Sequence, residues 1–363
     1  MIRIEISGDR ALLTGAEATG WPEPATTGLV EARGALLSWD VTSNAAFPHA
    51  QVHDPDAAAG WLWEIYGDDI ADAVLANAPA KVALPPERPE LLPAALRLAR
   101  LNWAAAWWPA SAQAAIPALS QELLAAETAV ATAALEHLLD DEDCVERALD
   151  AASLTAVEAL AEHAAFAASA IELAEELRSL AEDYGVELDA ARVSGQAGWA
   201  LAAGGTHQAA ATGTSSLNWA DVPAQTLDAM GGAGWSIGRR GDETVLSVSV
   251  PAAPAVEFPH HEPPLTPVLL ARFGPARLGV EVPLRRVENR FTGEAVLPVT
   301  ALLLPTAERT LSVRDTRITA EPSAVLAPAE DVRAAVIDHA RSRLADATAS
   351  LAEQAAAHAG GIS

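Results

Sequence analysis

Gly234-Trp235-Ser236-Ile237-Gly238 is the spacing that sets a nucleophilic serine on a strained turn between a strand and a helix, where its hydroxyl meets a histidine and an oxyanion hole. The neighbours oppose that use of Ser236. Met230-Gly231-Gly232 precedes it where a buried strand is needed, and Arg239-Arg240-Gly241 leads into the alternating run Val245–Val250 where a helix is needed. Trp235 and Ile237 pointing inward from a strand, with Ser236 outward, is the simpler reading. Two histidine clusters offer metal ligands. Phe258-Pro259-His260-His261-Glu262 lies among prolines that exclude a helix, so a solvated loop is expected there. His49 and His53 would share a helix face, but Pro48 and Pro55 bracket them and favour a loop. A site needs three or four converging ligands, which neither cluster supplies by spacing alone, and no metal or cofactor is expected.

Carboxylates are abundant: Asp68, Asp69 and Asp72; Asp140, Asp141, Glu142 and Asp143; Glu172, Glu175 and Glu176. Acid–base catalysis needs paired carboxylates whose surroundings drive their pKa values apart, and runs on a helical surface do not provide that. The alternative is a docking surface for a basic partner. Trp103, Trp107 and Trp108 are spaced so that the first two share a helix face, which suits either a core or an aromatic anchor at an interface.

Charge narrows the partners. The chain has 363 residues and a formal charge of −26, with 9 basic and 32 acidic residues before position 190 and 14 and 17 after it. A polyanion such as nucleic acid is repelled by that field, whereas a basic protein is attracted. The single cysteine, Cys144, forms no internal disulfide and sits beside Asp143 and Glu146, which hold a thiol protonated. The N-terminus alternates apolar and charged residues, and no run of eighteen strongly apolar residues occurs, so a cytoplasmic chain outside the membrane is expected.

The elements that must position these residues are legible as changes of period. Ile2, Ile4 and Ile6, then Leu37, Trp39 and Val41, alternate as half-buried strands do, giving a small β element over 1–42. Alanine-rich sequence with helical spacing follows: Leu92, Leu96, Ala99, Trp103 and Trp107 form one stripe, and Leu160, Ala164, Ala167, Ile171 and Ala174 another, predicting a helical bundle over 43–192. Gly, Ser, Thr and Ala without a period suggest a linker over 193–216. Alternation returns at Leu246–Val250, Leu278–Leu284 and Leu311–Val313, with Val296–Leu304 apolar on both faces, so a β-sandwich (Ig-like) domain is expected over 217–328. From Pro328 the helical period resumes as one long closing helix within 329–363, ending in a loose tail from His358. The fold class predicted is α+β.

Asn102-Trp103-Ala104-Ala105-Ala106-Trp107-Trp108-Pro109-Ala110-Ser111, with Ile116-Pro117-Ala118-Leu119 and Leu123-Leu124-Ala125-Ala126-Glu127 after it, resembles a segment of a family of actinobacterial proteins with an α-helical front and a β-rich back. Ala335-Val336-Ile337-Asp338-His339-Ala340-Arg341-Ser342-Arg343-Leu344 is similar in style. Members carry basic residues before the paired tryptophans, where this chain has Ala105-Ala106. The resemblance implies a fold grouping and no activity. The function expected is a non-enzymatic cytoplasmic adaptor with an acidic helical surface and a β-sandwich. The alternative is a small-molecule or metal-binding protein, or a hydrolase, with a site between the two domains to which His207, Asp221, His260 and His261 contribute.

Overall fold

The computed structural model describes residues 1–8, 10–15, 21–43, 45–189, 209–255, 267–275, 279–318 and 327–361. An antiparallel sheet opens the chain. Its strands are β1 (Ile2–Ser7), β2 (Arg10–Gly15), β3 (Thr27–Ala32), β4 (Ala35–Asp40), β5 (His49–Val52) and β6 (Ala80–Val82), in the order β3-β4-β5-β2-β1-β6. The strands foreseen in the first 42 residues are therefore completed by two from beyond that boundary. Between β5 and β6 run α1 (Pro55–Ala58), α2 (Leu62–Tyr66) and α3 (Asp68–Leu75). Asp54 starts α1 by accepting from the Ala57 N–H, the ordinary service of an N-cap carboxylate.

Five helices follow: α4 (Leu92–Trp107), α5 (Gln121–Ala133), α6 (Cys144–Ala151), α7 (Leu154–Ala161) and α8 (Ala167–Tyr184). Helix α4 lies on β3 so closely that a Cβ on Gly28 would stand 2.4 Å from the Ala99 carbonyl oxygen, so only glycine fits there. The stripe expected from Leu160 to Ala174 is interrupted. The chain turns at 162–166, and α8 buries Ala170, Leu173, Ala174, Leu177 and Ala181 while Ile171 is exposed. The stripe was displaced because alanine, apolar yet indifferent to exposure, marks helix phase weakly.

The second β region contains β7 (Ala209–Ser215), β8 (Ala233–Arg240), β9 (Glu243–Pro251), β10 (Leu269–Phe273), β11 (Val280–Pro283), β12 (Arg285–Val287), β13 (Arg290–Val296) and β14 (Leu311–Asp315). They form a five-stranded sheet, β12-β13-β9-β8-β7, and a three-stranded one, β11-β10-β14. Only Leu284 separates β11 from β12, and Ser215 Oγ accepts from the Leu311 N–H at the opposite side, so the sheets are joined at both margins. Between them pack Trp235, Ile237, Leu246, Val248, Phe273, Val282 and Phe291. Gly213 on β7 leaves room for the Trp235 ring, which a Cβ there would meet at 2.3 Å. Two expectations are corrected. Ala209–Ser215, placed by sequence in the linker, is a strand, because short Thr and Ala side chains suit an edge whose inner face must admit an indole. Val296–Leu304 leaves the sheet at Val296 and continues as a 3-10 turn over Val299–Leu303, with Pro298 denying the ladder a donor.

The expected single closing helix is two, α9 (Glu330–Leu344) and α10 (Leu351–Ala359). Ser350 and Glu353 form a reciprocal capping box that restarts the helix, and the Glu127 carboxylate accepts from the Leu351 and Ala352 N–H groups. His358 belongs to α10. Both helices return to the first core, where Val336, Ile337, Ala340, Leu344, Leu351 and Ala355 join the sheet and bundle residues. The sandwich, with its own core, is thus inserted between α8 and α9. No helix among the described residues is long and apolar enough to cross a membrane.

Candidate binding site at the domain junction

The two cores meet where α4 ends. Trp108 closes that helix at φ −54°, ψ 120°, and its indole N–H donates to the Pro117 carbonyl. The loop that follows is tied to the segment between β7 and β8. Asp228, 5% exposed, accepts from Ser111 Oγ at 2.6 Å, from the Ala112 N–H at 2.9 Å and from the Met230 N–H at 3.0 Å. The Ala229 N–H donates to the Ala110 carbonyl, and Gln225 Oε1 accepts from the Leu119 N–H. A buried carboxylate satisfied by three donors from both sides fixes how the bundle and the sandwich sit on each other.

Beside this latch lies a cleft walled by Trp107, Trp108 and Pro109 on the bundle side and by Leu217, Trp219, Pro223 and Gln225 on the other. Its space is about 30 Å³, on the order of two water molecules. From behind, Arg333 of α9 stacks 4.7 Å from the Trp219 ring centroid and donates to the Leu217 and Pro328 carbonyls. Burial lowers the Arg333 pKa. Trp219 Nε1 and Gln225 Nε2 are buried donors without an acceptor among the described residues. Such groups cost on the order of 1–3 kcal/mol each, which an incoming carbonyl or carboxylate would recover. Both lie under the surface, so an acceptor must part the wall to reach them.

The residues singled out by sequence are mostly elsewhere. Ser236 is mid-strand in β8, opposite Ser247, with Trp235 and Ile237 buried behind it, so the nucleophile turn does not form. His49 lies on β5, half-buried, its ring 5.8 Å from that of Trp21; burial lowers its pKa against an opposing pull from Asp40. His53 is exposed in the turn after that strand, so the two share no helix face. Among the described residues no group of three or more His, Cys, Asp and Glu converges on a metal position. His207, His260 and His261 lie outside the described residues. Asp221 is buried at 3% in the turn Trp219–Asp221, next to the cleft.

The tryptophans divide. Trp103 and Trp108 are 2% and 1% exposed and belong to the core, with the Trp103 N–H on the Ala25 carbonyl and a 6.1 Å edge contact between the rings. As exposed interface residues they are corrected: bulky indoles fill space that alanine-rich helices leave. Trp107 and Trp108 both line the cleft, but only Trp107 of the three is half-exposed there. Asp140, Glu142 and Asp143 are exposed and Asp141 half-buried in the turn before α6, with Asp141 paired to Arg147. The Cys144 thiol is pushed up by burial and then by Glu136.

Trp219, Gln225, Asp228 and Arg333 were missed by sequence reasoning. Nothing local marks them except Asn218, whose side chain caps the turn that presents Trp219. Comparison with protein-family models, with curated proteins and with solved structures finds no match to this chain.

Proposed function

We propose that this protein is a non-enzymatic, cytoplasmic binding component that takes a protein partner at the domain junction, with the acidic helical surface steering the approach. The observation that carries the reading is the junction cleft. Half-buried indoles from two different parts of the chain, Trp107 and Trp219, line one recess, and beneath its wall lie two N–H donors with no partner among the described residues. Tryptophan at such a place offers a large apolar contact at low entropic cost, the property of an interface anchor. The outward side of α8 exposes Glu172, Glu175, Glu176, Glu182 and Asp183, and the turn at 140–143 adds to the same field. Charges of this kind raise the rate of encounter with a basic partner more than they tighten the complex.

Tagged full-length protein would be used to capture partners from lysate of its native cell, beside a Trp107→Ala variant and a variant with 140–143 neutralised to Asn and Gln. A stoichiometric protein lost with Trp107→Ala, and captured more slowly by the neutralised variant at low salt with the difference from wild type vanishing as salt rises, is the expected result. Capture equal in all three, or of nothing, overturns the reading. A second reading, a small ligand with a carbonyl or carboxylate acceptor at the same recess, draws on the two unused donors. It requires a metabolite that raises the Tm of the wild type and leaves Trp107→Ala unmoved.

A further inference from the structure

We propose that His163 and His358 form a two-histidine site for a transition-metal dication of the Zn2+, Ni2+ or Cu2+ class. The pair joins elements far apart in the chain. His163 sits in the turn between α7 and α8, held by its N–H on the Leu160 carbonyl and by its own carbonyl accepting from the Phe166 N–H. His358 is carried near the end of α10, a helix anchored at its start by the capping box and Glu127. Both side chains are exposed, and their ring centroids stand 5.2 Å apart with planes at 75°. Phe166 packs on both, 6.0 Å from His163 and 5.5 Å from His358.

The rings meet edge-on, and their spacing also matches that of two imidazoles sharing one ion. An imidazole nitrogen about 2.05 Å from the metal puts its ring centroid about 3.2 Å away, and two such rings at a tetrahedral angle are about 5.2 Å apart. Imidazole selects Zn2+, Ni2+ and Cu2+ over Mg2+ and Ca2+, which take oxygen ligands. The surroundings attract a dication: residues 101–190 hold 18 Asp and Glu against Arg147 and Arg178, and exposed Glu162 adjoins His163. With no third protein ligand among the described residues, water completes the coordination, so the ion is exchangeable and bound with modest affinity. Occupancy would clip the C-terminal helix to the α7–α8 turn and stabilise its return to the first core.

Calorimetric titration of the full chain at pH 7.5 with Ni2+, Zn2+ and, as a hard-cation control, Mg2+ tests this. The expected result is one saturable Ni2+ or Zn2+ site, a higher Tm with metal, and binding weakened at least about tenfold in both His163→Ala and His358→Ala but not in His53→Ala. Both histidines are exposed, so the variants keep the fold, and unchanged circular dichroism verifies it. Binding undiminished in either variant, equal affinity for Mg2+, or no saturable binding overturns the proposal.

Discussion

His339, on the inner side of α9, gives the sharpest test of how the returning helix is packed. Its ring meets Trp103 edge-on at 5.1 Å. Burial is the largest influence on it, Arg343 and Arg100 add to the depression, Glu353 and Asp40 oppose it, and its pKa falls from 6.5 to about 4. A histidine depressed in the folded state binds its proton more readily once unfolded. The stability it contributes is therefore complete above pH 6.5 and is lost progressively as the pH falls from there to about 4. Linkage between those two values gives a loss of about 2 kcal/mol at pH 5, and discounting for the part of the ring still open to solvent leaves about 1–2 kcal/mol. His339→Phe keeps the aromatic contact with Trp103 and cannot take the proton. The assay is urea unfolding of both proteins at pH 7.5 and pH 5, followed by tryptophan fluorescence, with the His339 imidazole titrated directly by NMR. Acid-sensitive carboxylates are common to both chains and cancel in the difference. Equal loss in wild type and variant, or an imidazole titrating near 6.5, would refute the packing argument.

Two further perturbations address the buried charges. Arg343 makes a two-point contact with Glu353, at 3.0 and 2.7 Å, and also holds Asp346 and the Thr348 carbonyl, so Glu353→Ala leaves a buried guanidinium with only those two partners and removes the capping box, and is expected to cost about 3 kcal/mol in chemical denaturation; a loss under about 1 kcal/mol would show that the pair is solvated. Asp228→Ala removes the acceptor of three donors at the junction and should destabilise by about 3 kcal/mol, with faster proteolysis between Leu217 and Met230; an unchanged cleavage pattern would mean the latch does not hold the two cores together.

Much of the architecture was written in local pattern. The alternation at Ile2, Ile4 and Ile6 and at Leu246, Val248 and Val250 became strands with those residues buried, Ile6 only in part, since a period of two leaves a strand one face to hide. The α+β class and the order of strands, then helices, then strands followed from such periods. Where small or ambiguous residues carried the pattern, it failed: alanine let the stripe near Ile171 slip in phase, and the thread of Ala and Thr in β7 resembled a linker. The break between α9 and α10 was marked by Ser350 and Glu353, three apart, a capping box that spacing alone could have revealed.

Adjacency was settled only in three dimensions. The charge of the N-terminal half and the tryptophan-rich composition are sequence facts, but which indole is buried and which stays half-exposed at the cleft depended on Trp108 finding the Pro117 carbonyl, Trp103 the Ala25 carbonyl, and Trp107 neither. The cleft needs Trp219 and Gln225 from a segment more than a hundred residues on, and the histidine pair joins a turn of the bundle to the last helix. Local periodicity reports which face of an element is buried, because that depends on the repeat of its own backbone. What the face is buried against depends on loop closure and packing among distant elements, and no short stretch of this chain encodes that.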